Sequence, residues 1–492
     1  MFKSVIFKRF KKFNDTKIVL EPEKLSLIAG PNNSGKSTIL HGLAIWGFCR
    51  TVVEMEQGSE SLLSGHTRQG IGLSDDDFSP VAVPNLKHLW SNLKTQYRDD
   101  PNGYTLRIAA YWDSIYGRDH FLEFGLSLAN DRLFIKVTRT NLTELVDIPK
   151  VAYVPPFAGI TGKESRMTEA VRQSLIGQGL AGAVIRNLIL DMQASYESEY
   201  RKLRGDRKKI KAKDLQDLRH RHPWTNLQGL LQEIFSAELR VKPFNQVYHR
   251  YIDVEFVKGE HDGVRFKKYP NYSPRDIMVE GSGFLQWLSV FTLALSREVD
   301  VLLLDEPDAH LHPTLQALLV DRLKSVSSDR KKQILFATHS TEILRNSEAT
   351  EILAVNNRKA KYLGSEKQKT RLFLGLGSDY MPKLDKLRRS HKLCIVENDF
   401  DERVIKHMSE LIGKKIPDDV VFWLWTGRHK ERKHLFIQLC DEIPNLSCIS
   451  LLDRDDENVN TLDSQLLDKA IDVNISGFKC LKWYRRNIEN YI

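Results

Sequence analysis

A glycine-rich segment near the amino terminus constrains this chain more than any other feature, because its spacing is that of a phosphate-binding loop. Residues 30–38 read GPNNSGKST, which fits the pattern G-x-x-x-x-G-K-[ST]. The apolar run at 25–29 predicts a buried strand before the loop, and the periodicity of 39–46 predicts a helix after it. Such a strand–loop–helix unit directs backbone N–H groups and a helix N-terminus at phosphate oxygens. The sequence therefore predicts a nucleotide site.

The residue types of this loop suit the task one by one. Gly30 and Gly35 allow the tight turn that aims the N–H groups at the phosphates. Lys36 is expected to reach the β- and γ-phosphates, and Ser37 to place its hydroxyl on Mg²⁺. ATP and Mg²⁺ are thus the predicted cofactors. The predicted ATP-binding residues of the loop are Gly30, Asn32, Asn33, Ser34, Gly35, Lys36, Ser37 and Thr38.

Two later apolar strands end in residues that act on a bound nucleotide. One run leads into Asp305 and Glu306, and the next leads into His339. Asp305 is expected to hold Mg²⁺ through its water shell, and Glu306 to polarise the attacking water as general base. His339 is suited to contact the γ-phosphate. One acid for the metal and one for the water is the division of labour expected of an enzyme that hydrolyses ATP.

A Gly-Ser segment at 280–283 opens an apolar helix predicted at 284–295. Together with the loop, the acids and the histidine, it completes a set that resembles the ATP-binding-cassette ATPases. Within them the set is most similar to the structural-maintenance and overcoming-lysogenization-defect branch. The stretches 7–13 and 308–313 carry the same resemblance. The resemblance implies an α/β fold, an ABC-type P-loop ATPase with a helical insertion.

The same resemblance implies an assembly of several copies. Ser282 and Gly283 of one copy would close over the ATP held by Lys36 of another. The predicted partner is therefore a second copy, in a homodimer or a larger even homo-oligomer. His310 and His312 could be mistaken for a metal pair, but two histidines are too few ligands for a site, so we assign them to the dimer loop.

Bulk properties exclude some classes of protein. The chain has 492 residues, enough for two or three domains, and no apolar run approaches the roughly 20 residues of a membrane helix. The missing apolar run predicts no membrane partner. The five cysteines are scattered without a C-x-x-C pair, which predicts free buried thiols in a reducing cytoplasm. The net charge of +9 favours a polyanionic partner without specifying one.

Changes of pattern along the chain predict four segments. They are an ATPase amino-terminal part at 1–163, a helical insertion at 164–245, an ATPase carboxyl-terminal part at 246–389 and a small α/β domain at 390–492. The insertion carries a basic run, for which two interpretations stay open. It is either a solvated helical hairpin or a surface for nucleic acid or an acidic protein, through Arg201, Arg204, Lys208 and Lys209.

The last segment predicts a second chemistry. Strand and helix patterns alternate from residue 391, which indicates a small parallel sheet. Acids lie at or just past the predicted carboxyl ends of its strands, where open parallel sheets place their sites. They are Glu397, Asp401, Asp453 and Asp455, which we predict to bind Mg²⁺, and Glu397, Asp453 and Asp455 are the predicted catalytic residues. Asp399 and Glu402 crowd the same turn, so which of the acids near Glu397 bind the metal stays open.

This set resembles the Toprim domain of topoisomerases, primases and overcoming-lysogenization-defect nucleases, which has a strand-end Glu-Gly and a later D-x-D. Here Asn398 replaces the glycine, and asparagine also tolerates positive φ. The tail at 489–491 reads ENY and resembles the Toprim-related effectors of PARIS-type phage defence. The resemblance implies an ATP-gated nuclease that cuts transfer RNA or DNA, with a phage-encoded protein as its trigger.

Two other functions stay open beside this one. The carboxyl-terminal acids could be solvated groups on an inert module, in which case the ATPase would be a sensor and scaffold for a separate effector. A DNA-repair ATPase of the RecF kind is the third interpretation, and it leaves those acids without a task.

Overall fold

The computed structural model describes the whole chain except residues 67–68, 99, 101, 114–117, 145–147, 157–158, 207–209, 262–265, 310, 357–358, 366–367, 370–385, 426–427, 456, 463–466, 468–474, 487 and 492. The chain divides into two units, Met1–Ser365 and Glu366–Ile492. The predicted boundaries at 163/164, 245/246 and 389/390 stay predictions. Lys208, Lys209 and His310, for which the sequence predicts roles, lie outside the described residues.

The first unit begins with strands that surround one long helix. In chain order these elements are β1 (Phe2–Phe10), β2 (Phe13–Val19), β3 (Leu25–Ala29), α1 (Lys36–Gln57), β4 (Ile71–Leu73), β5 (Leu106–Trp112), β6 (His120–Ala129), β7 (Arg132–Thr140) and β8 (Val151–Val154). An antiparallel sheet has the order β2-β1-β5-β6-β7-β4. The predicted strand before the loop is β3, and the predicted helix after it is the start of α1.

The helical insertion and the remaining ATPase strands follow. They are α2 (Glu169–Gly177), α3 (Ile185–Arg204), α4 (Ala212–Arg221), α5 (Pro223–Phe235), β9 (Ala237–Val241), β10 (Val254–His261), β11 (Phe266–Lys268), β12 (Arg275–Asp276), α6 (Ser282–Leu295), β13 (Val301–Asp305), α7 (Pro313–Arg330), β14 (Gln333–Ala337), α8 (Thr341–Arg345), β15 (Ile352–Asn356) and β16 (Lys359–Tyr362). Strands β9 to β12 form a small antiparallel sheet of their own.

The central sheet of the unit positions the candidate site. Its order is β16-β15-β3-β14-β13-β8, and β15, β3, β14, β13 and β8 run parallel. The carboxyl ends of β3, β13 and β14 therefore meet at one edge. Helix α1 packs against both large sheets in a shared core. The fit is close at Gly42, where a Cβ would lie 2.2 Å from the ring of Phe7.

The second unit is a small parallel sheet with helices between its strands. Its elements are β17 (Lys392–Val396), α9 (Asp399–Leu411), β18 (Val421–Leu424), α10 (His429–Glu442), β19 (Ser447–Leu452) and β20 (Phe478–Lys482). The order is β18-β17-β19-β20, and all pairs are parallel. Trp423, Phe436 and Phe478 lie in its buried core. The predicted alternation of strand and helix is present here.

Two bulk features of the described residues complete the picture. Each of the five cysteines is a free thiol, and Cys49, Cys448 and Cys480 are buried. Among the helices that the structure describes, none combines the length and apolarity that crossing a bilayer requires.

Candidate active site

The phosphate-binding loop joins β3 to α1 through two residues in the left-handed region. Gly35 has φ 113° and Asn33 has φ 63°, and Gly35 immediately precedes the helix. Gly30 is fixed by a close approach instead, because a Cβ there would lie 2.2 Å from the carbonyl oxygen of Val355. Both glycines that the motif requires are thus required by the backbone as well.

Lys36 lies at the start of α1, and its side chain folds back over the loop. Its Nζ donates hydrogen bonds to the carbonyl oxygens of Gly30 at 2.8 Å and Pro31 at 3.2 Å. Burial lowers the pKa of Lys36 to about 8, although the nearby carboxylates oppose that shift. A phosphate would restore a full charge partner to this ammonium.

The loop also contains a polar atom that suits a phosphate. Ser34 Oγ is buried and makes no hydrogen bond among the described residues. Backbone N–H groups at a helix start and an unpartnered hydroxyl are donors that an anion accepts. The residues present therefore fit the phosphates of a nucleotide.

Asp305 lies at the sheet edge where the sequence predicts Mg²⁺ binding. It ends β13, is almost completely buried, and accepts a hydrogen bond from Ser37 Oγ at 2.9 Å. Its other oxygen accepts one from the Tyr153 hydroxyl at 3.2 Å. Burial raises the pKa of Asp305 above its ordinary value. A carboxylate and a hydroxyl in contact are the oxygen ligands that Mg²⁺ prefers, so the predicted pair fits the metal.

Behind Asp305, three further residues form a hydrogen-bonded chain that sequence reasoning missed. Tyr153 Oη is 3.1 Å from His41 Nε2, and His41 Nδ1 is 2.6 Å from Lys11 Nζ. Burial lowers the pKa of His41 to about 3 and that of Lys11 to about 8. The one sequence signal is the placement of His41 one helical turn after Ser37. This series of hydrogen bonds supports Asp305.

The predicted general base and the predicted γ-phosphate residue are in contact. Glu306 Oε1 is 3.1 Å from His339 Nε2, and both side chains are 37% exposed. Glu306 has φ 50°, an unusual conformation that turns it away from the path of β13. The pKa of His339 is lowered, mainly by burial and then by Lys36. A neutral imidazole can therefore donate to the Glu306 carboxylate.

A third acid follows at the same edge. Asp308 is buried and accepts a hydrogen bond from Thr338 Oγ1 at 2.8 Å, while its Oδ1 has no partner among the described residues. Thr338 Oγ1 in turn accepts from the backbone N–H of Ser340 at 2.8 Å. Burial raises the pKa of Asp308 to about 6. This contact holds the segment after β13 against the segment after β14.

The two residues predicted to close over the ATP of another copy lie on another element of the same unit. Ser282 and Gly283 form the start of α6, and Ser282 is exposed. Among the hydrogen bonds and ion pairs of the described residues, none joins them to the loop, to the β13 acids or to His339. His312 has a structural task, because its Nδ1 accepts from the N–H of Thr314 at the start of α7.

Glu397, in the second unit, follows β17 directly. Its Oε1 lies 3.8 Å from the guanidinium of Arg432, which is completely buried. Arg432 donates to the carbonyl oxygens of Leu451 and Trp425, each at 2.6 Å, and of Ile395 at 3.3 Å. One arginine therefore ties together the carboxyl ends of β17, β18 and β19 beneath Glu397.

Asp401 has a local structural task. Its Oδ2 accepts from the backbone N–H groups of Glu397 at 3.0 Å and Asn398 at 3.3 Å. Asn398 Oδ1 accepts from the N–H of Asp401 at 2.9 Å, so the two residues form a capping box at the start of α9. Asn398 is extended, with φ −147°, so this turn does not use the positive φ that we considered for it.

The D-x-D pair follows β19. Asp453 Oδ1 accepts from the N–H of Ile488 at 3.1 Å, and Asp455 has φ 53° with its N–H donated to Arg486 O at 3.0 Å. Within the part of the chain that the structure describes, no group of three or more His, Cys, Asp and Glu side chains is arranged to hold a metal ion. The metal roles of these acids stay predictions.

Sequence comparisons match two segments of the first unit. Residues 189–345 match the family described as “AAA domain, putative AbiEii toxin, Type IV TA system”, and residues 1–54 match one described as “AAA domain”. The shorter segment contains Lys36 and Ser37, and the longer one contains Asp305, Glu306 and His339. The first unit carries an AAA-type ATPase domain. No curated protein matches the chain.

Several solved structures are similar to the chain at low identity. One is the Smc head bound to the C-winged helix domain of ScpA, with 14% identity, a TM-score of 0.39, and coverage of 75% of this chain and 99% of that chain. The recombination mediator protein RecF with ATPrS has 12% identity and a TM-score of 0.38, with coverage of 74% of this chain and 98% of that chain. The SMC head domain from Thermotoga maritima has 11% identity and a TM-score of 0.34, with coverage of 74% of this chain and 99% of that chain. Similarity of this degree carries no conclusion about function.

Proposed function

We propose that the protein is an ATP-hydrolysing sensor of antiviral defence coupled to a Mg²⁺-dependent, Toprim-like nuclease. The observation that supports its ATPase part best is the meeting of Lys36, Ser37, Asp305, Glu306 and His339 at one sheet edge. Lys36 and Ser37 start the helix that follows β3, and the other three lie at or just after the ends of β13 and β14, the next two strands of the sheet. ATP hydrolysis is the reaction for which this combination of groups is suited.

In the proposed reaction each side chain has one task. Lys36 holds the β- and γ-phosphates, and Ser37 with Asp305 holds Mg²⁺, which neutralises phosphate charge when bound. Glu306 accepts a proton from the attacking water, and His339 keeps the carboxylate oriented through their 3.1 Å contact. Tyr153 orients Asp305 from behind.

We further propose that hydrolysis needs two copies of the chain. Ser282 is exposed at the start of α6, where it is available to the nucleotide of a second copy. A helix N-terminus favours a phosphate through its dipole and its free N–H groups. A homodimer or a larger even homo-oligomer is the assembly that this proposal requires.

The proposed nuclease activity is supported by the topology of the second unit. Strands β17 and β19 are parallel neighbours, so Glu397 and Asp453 follow adjacent strand ends. Carboxylates at such an edge can hold Mg²⁺ against a phosphodiester. Transfer RNA or DNA is the proposed substrate and a phage-encoded protein the proposed trigger, both carried by the resemblance alone.

A second candidate function has its own support. Asp401 and Asp453 accept hydrogen bonds from backbone N–H groups, which is a structural use of these carboxylates. If that is their whole task, the second unit is a docking module and the ATPase is a sensor for a separate effector. An ATPase of the RecF kind is not better supported.

The test combines two assays on the purified chain. Labelled transfer RNA and supercoiled plasmid are incubated with Mg²⁺ or Mn²⁺, with and without ATP, while phosphate release is followed in parallel. Metal-dependent cutting that Glu397→Ala and Asp453→Ala both abolish, with ATP hydrolysis retained, would support the nuclease. Cutting that survives both changes would refute it, and ATP hydrolysis without any cutting would favour the docking module.

A further inference from the structure

A cavity of about 620 Å³ lies at the opposite end of the central sheet from the ATP site. Its lining comes from the end of α4, the start of α5, the end of α6 with the connection to β13, and the end of α7 with the connection to β14. It therefore touches the amino ends of β13 and β14, whose carboxyl ends lead to Glu306 and His339. Five strand residues separate the two ends, roughly 17 Å at about 3.3 Å per residue.

The lining of this cavity is strongly positive. Five of its residues are cations, namely Arg221, Arg297, Arg330, Lys331 and Lys332, whereas its acids are Asp300 and Asp329. We call the cavity that these five residues line the cationic cavity. Asp300 is engaged elsewhere, because its Oδ2 accepts from the backbone N–H of Lys150 at 2.9 Å.

Few carboxylates compensate these cations. Arg221 and Arg297 share one acid, Glu199 on α3, at 3.1 and 3.8 Å. Among the described residues, no carboxylate lies within ion-pair distance of Arg330, Lys331 or Lys332. The five cations outnumber the nearby acids Glu199, Asp300 and Asp329. Like charges in excess repel one another, and a bound anion reduces that repulsion.

Burial makes part of this charge costly in the empty cavity. The pKa of Arg330 is lowered, first by burial and then by repulsion from Arg297. Lys332 is almost completely buried, with its ammonium donated to the carbonyl oxygens of Ser296 and Val299, and burial lowers its pKa to about 8. An anion in the cavity would stabilise both charged forms.

A structural explanation covers part of this charge. Arg221 and Arg330 lie in the last turns of α4 and α7, and Lys331 is the C-cap of α7, where cations stabilise the helix dipole. Arg330 also donates to the carbonyl oxygen of Arg221 at 2.9 Å, and Lys332 donates to those of Ser296 and Val299. These tasks do not use the exposed side chains of Arg297 and Lys331 as hydrogen-bond donors to the backbone, so those two carry the proposal.

The kind of anion follows from what surrounds the cavity. Its described lining contains no Phe, Tyr or Trp side chain, so it offers nothing on which a base could stack. Through Glu199 it adjoins the last turn of α3, which carries Arg201, Lys202 and Arg204. An extended basic surface without base contacts fits a phosphodiester backbone, which is read by charge and not by sequence.

We propose that the cationic cavity binds the backbone phosphates of a nucleic acid independently of its sequence. The proposal stands apart from the proposed nuclease, because it concerns a different unit and needs none of the carboxyl-terminal acids. Since the cavity borders the two strands that lead to Glu306 and His339, bound nucleic acid would also contact the elements that position the hydrolytic groups.

The experiment uses the full chain and a double variant, Arg297→Ala with Lys331→Asn. Both residues are exposed, and asparagine tolerates the left-handed conformation of Lys331. Binding of a labelled 30-mer RNA and a 30-base-pair DNA is measured by fluorescence anisotropy at several salt concentrations. The control variant is Lys17→Gln with Lys87→Gln, which removes the same charge from exposed positions away from the cavity.

The expected result is binding that weakens about tenfold in the cavity variant, with a salt slope smaller by about two. The control is expected to keep the original affinity and slope, and both variants the original melting temperature and basal ATP hydrolysis. Equal weakening in both variants, or no binding of either nucleic acid by the original chain, would overturn the proposal.

A competition arm distinguishes nucleic acid from free polyphosphate. It uses inorganic triphosphate on Lys36→Ala, so that the ATP site does not contribute. If binding of triphosphate requires Arg297 and Lys331 but binding of the two nucleic acids does not, the proposal is overturned in favour of a small-anion site. Nucleic-acid binding that requires both residues would support it.

Discussion

Asp305 in the first unit and Asp401 in the second are both nearly buried acids at the carboxyl edge of a parallel sheet, but different groups hold them. Asp305 accepts from the hydroxyls of Ser37 and Tyr153, which belong to α1 and β8. Asp401 accepts from two backbone N–H groups of its own turn. Hydroxyls can rotate and share a carboxylate with a cation, whereas backbone N–H groups in a cap are committed to it.

The comparison teaches that an acid at a strand end is not by itself a metal ligand. At the ATP edge, the carboxylates are held by side chains from distant parts of the chain, which leaves their coordination adjustable. In the second unit, Asp401 completes a helix cap and Asp453 receives the N–H of Ile488. Glu397 differs from both, because its Oε1 lies 3.8 Å from the guanidinium of the buried Arg432.

The largest expected effect comes from Glu306→Gln at the carboxyl edge of the central sheet. Removing the proton acceptor is expected to lower the rate of ATP hydrolysis by about 10²- to 10⁴-fold, because general-base catalysis contributes on that scale. Phosphate release measures the rate, and equilibrium binding of a fluorescent ATP analogue is expected to be retained. Glu342→Gln, an exposed acid on α8, is the control and should leave the rate unchanged. An unimpaired Glu306→Gln enzyme would exclude Glu306 as the base.

The second effect concerns stability against pH. The pKa of Asp308 is raised by burial to about 6 in the folded chain, so the folded state holds this proton more tightly than the unfolded state. Its contribution is fully present below the unfolded pKa and is lost as pH rises through about 6. Asp308→Asn should therefore be more stable than the original chain at pH 7.5, by on the order of 2 kcal/mol.

Urea unfolding of the original and Asp308→Asn chains from pH 4 to 7.5 measures this difference. The gap is expected to narrow towards pH 4, where Asp308 is protonated in the folded state and about half protonated in the unfolded state. Asp321→Asn on the exposed face of α7 serves as the control. A gap that is constant over the whole pH range would contradict a raised pKa for Asp308.

A smaller effect separates the two possible tasks of Asp401. Asp401→Ala should destabilise the second unit by about 1 kcal/mol, because a helix cap is lost. Asp401→Asn keeps an acceptor oxygen for the cap and should restore most of that stability. Thermal unfolding gives the stability, and the cleavage assay gives the activity. Loss of cleavage in Asp401→Asn at normal stability would show that the charge, and so a metal role, matters.

The smallest effect is expected from Tyr153→Phe. The ring stays in place, but Asp305 and His41 each lose one hydrogen bond, which should cost about 1 kcal/mol of stability. The Mg²⁺ concentration for half-maximal ATP hydrolysis should rise a few fold, since Asp305 is less well oriented. ATP affinity in EDTA is the internal control and should not change. A normal Mg²⁺ response would remove Tyr153 from the metal site.

Some of the second site could have been read from the sequence and was missed. Asn398 followed three residues later by Asp401 is a local capping pattern, which alone predicts a structural use of the second acid. The alternation of strands and helices predicted a parallel sheet, but it did not predict that the strands before Glu397 and Asp453 are neighbours. Which strands are adjacent depends on how the helices between them pack.

The sequence alone determined the groups whose partners lie within one strand–loop–helix unit. The loop around Lys36 and the acids after β13 are set by local spacing, so the motif predicts them. Only the tertiary structure decided the series of hydrogen bonds that links Lys11 and His41 through Tyr153 to Asp305. It also decided the gathering of Arg221, Arg297 and Arg330 around one cavity. Those residues lie far apart in the chain, and strand order and close packing bring them together, which no local pattern records.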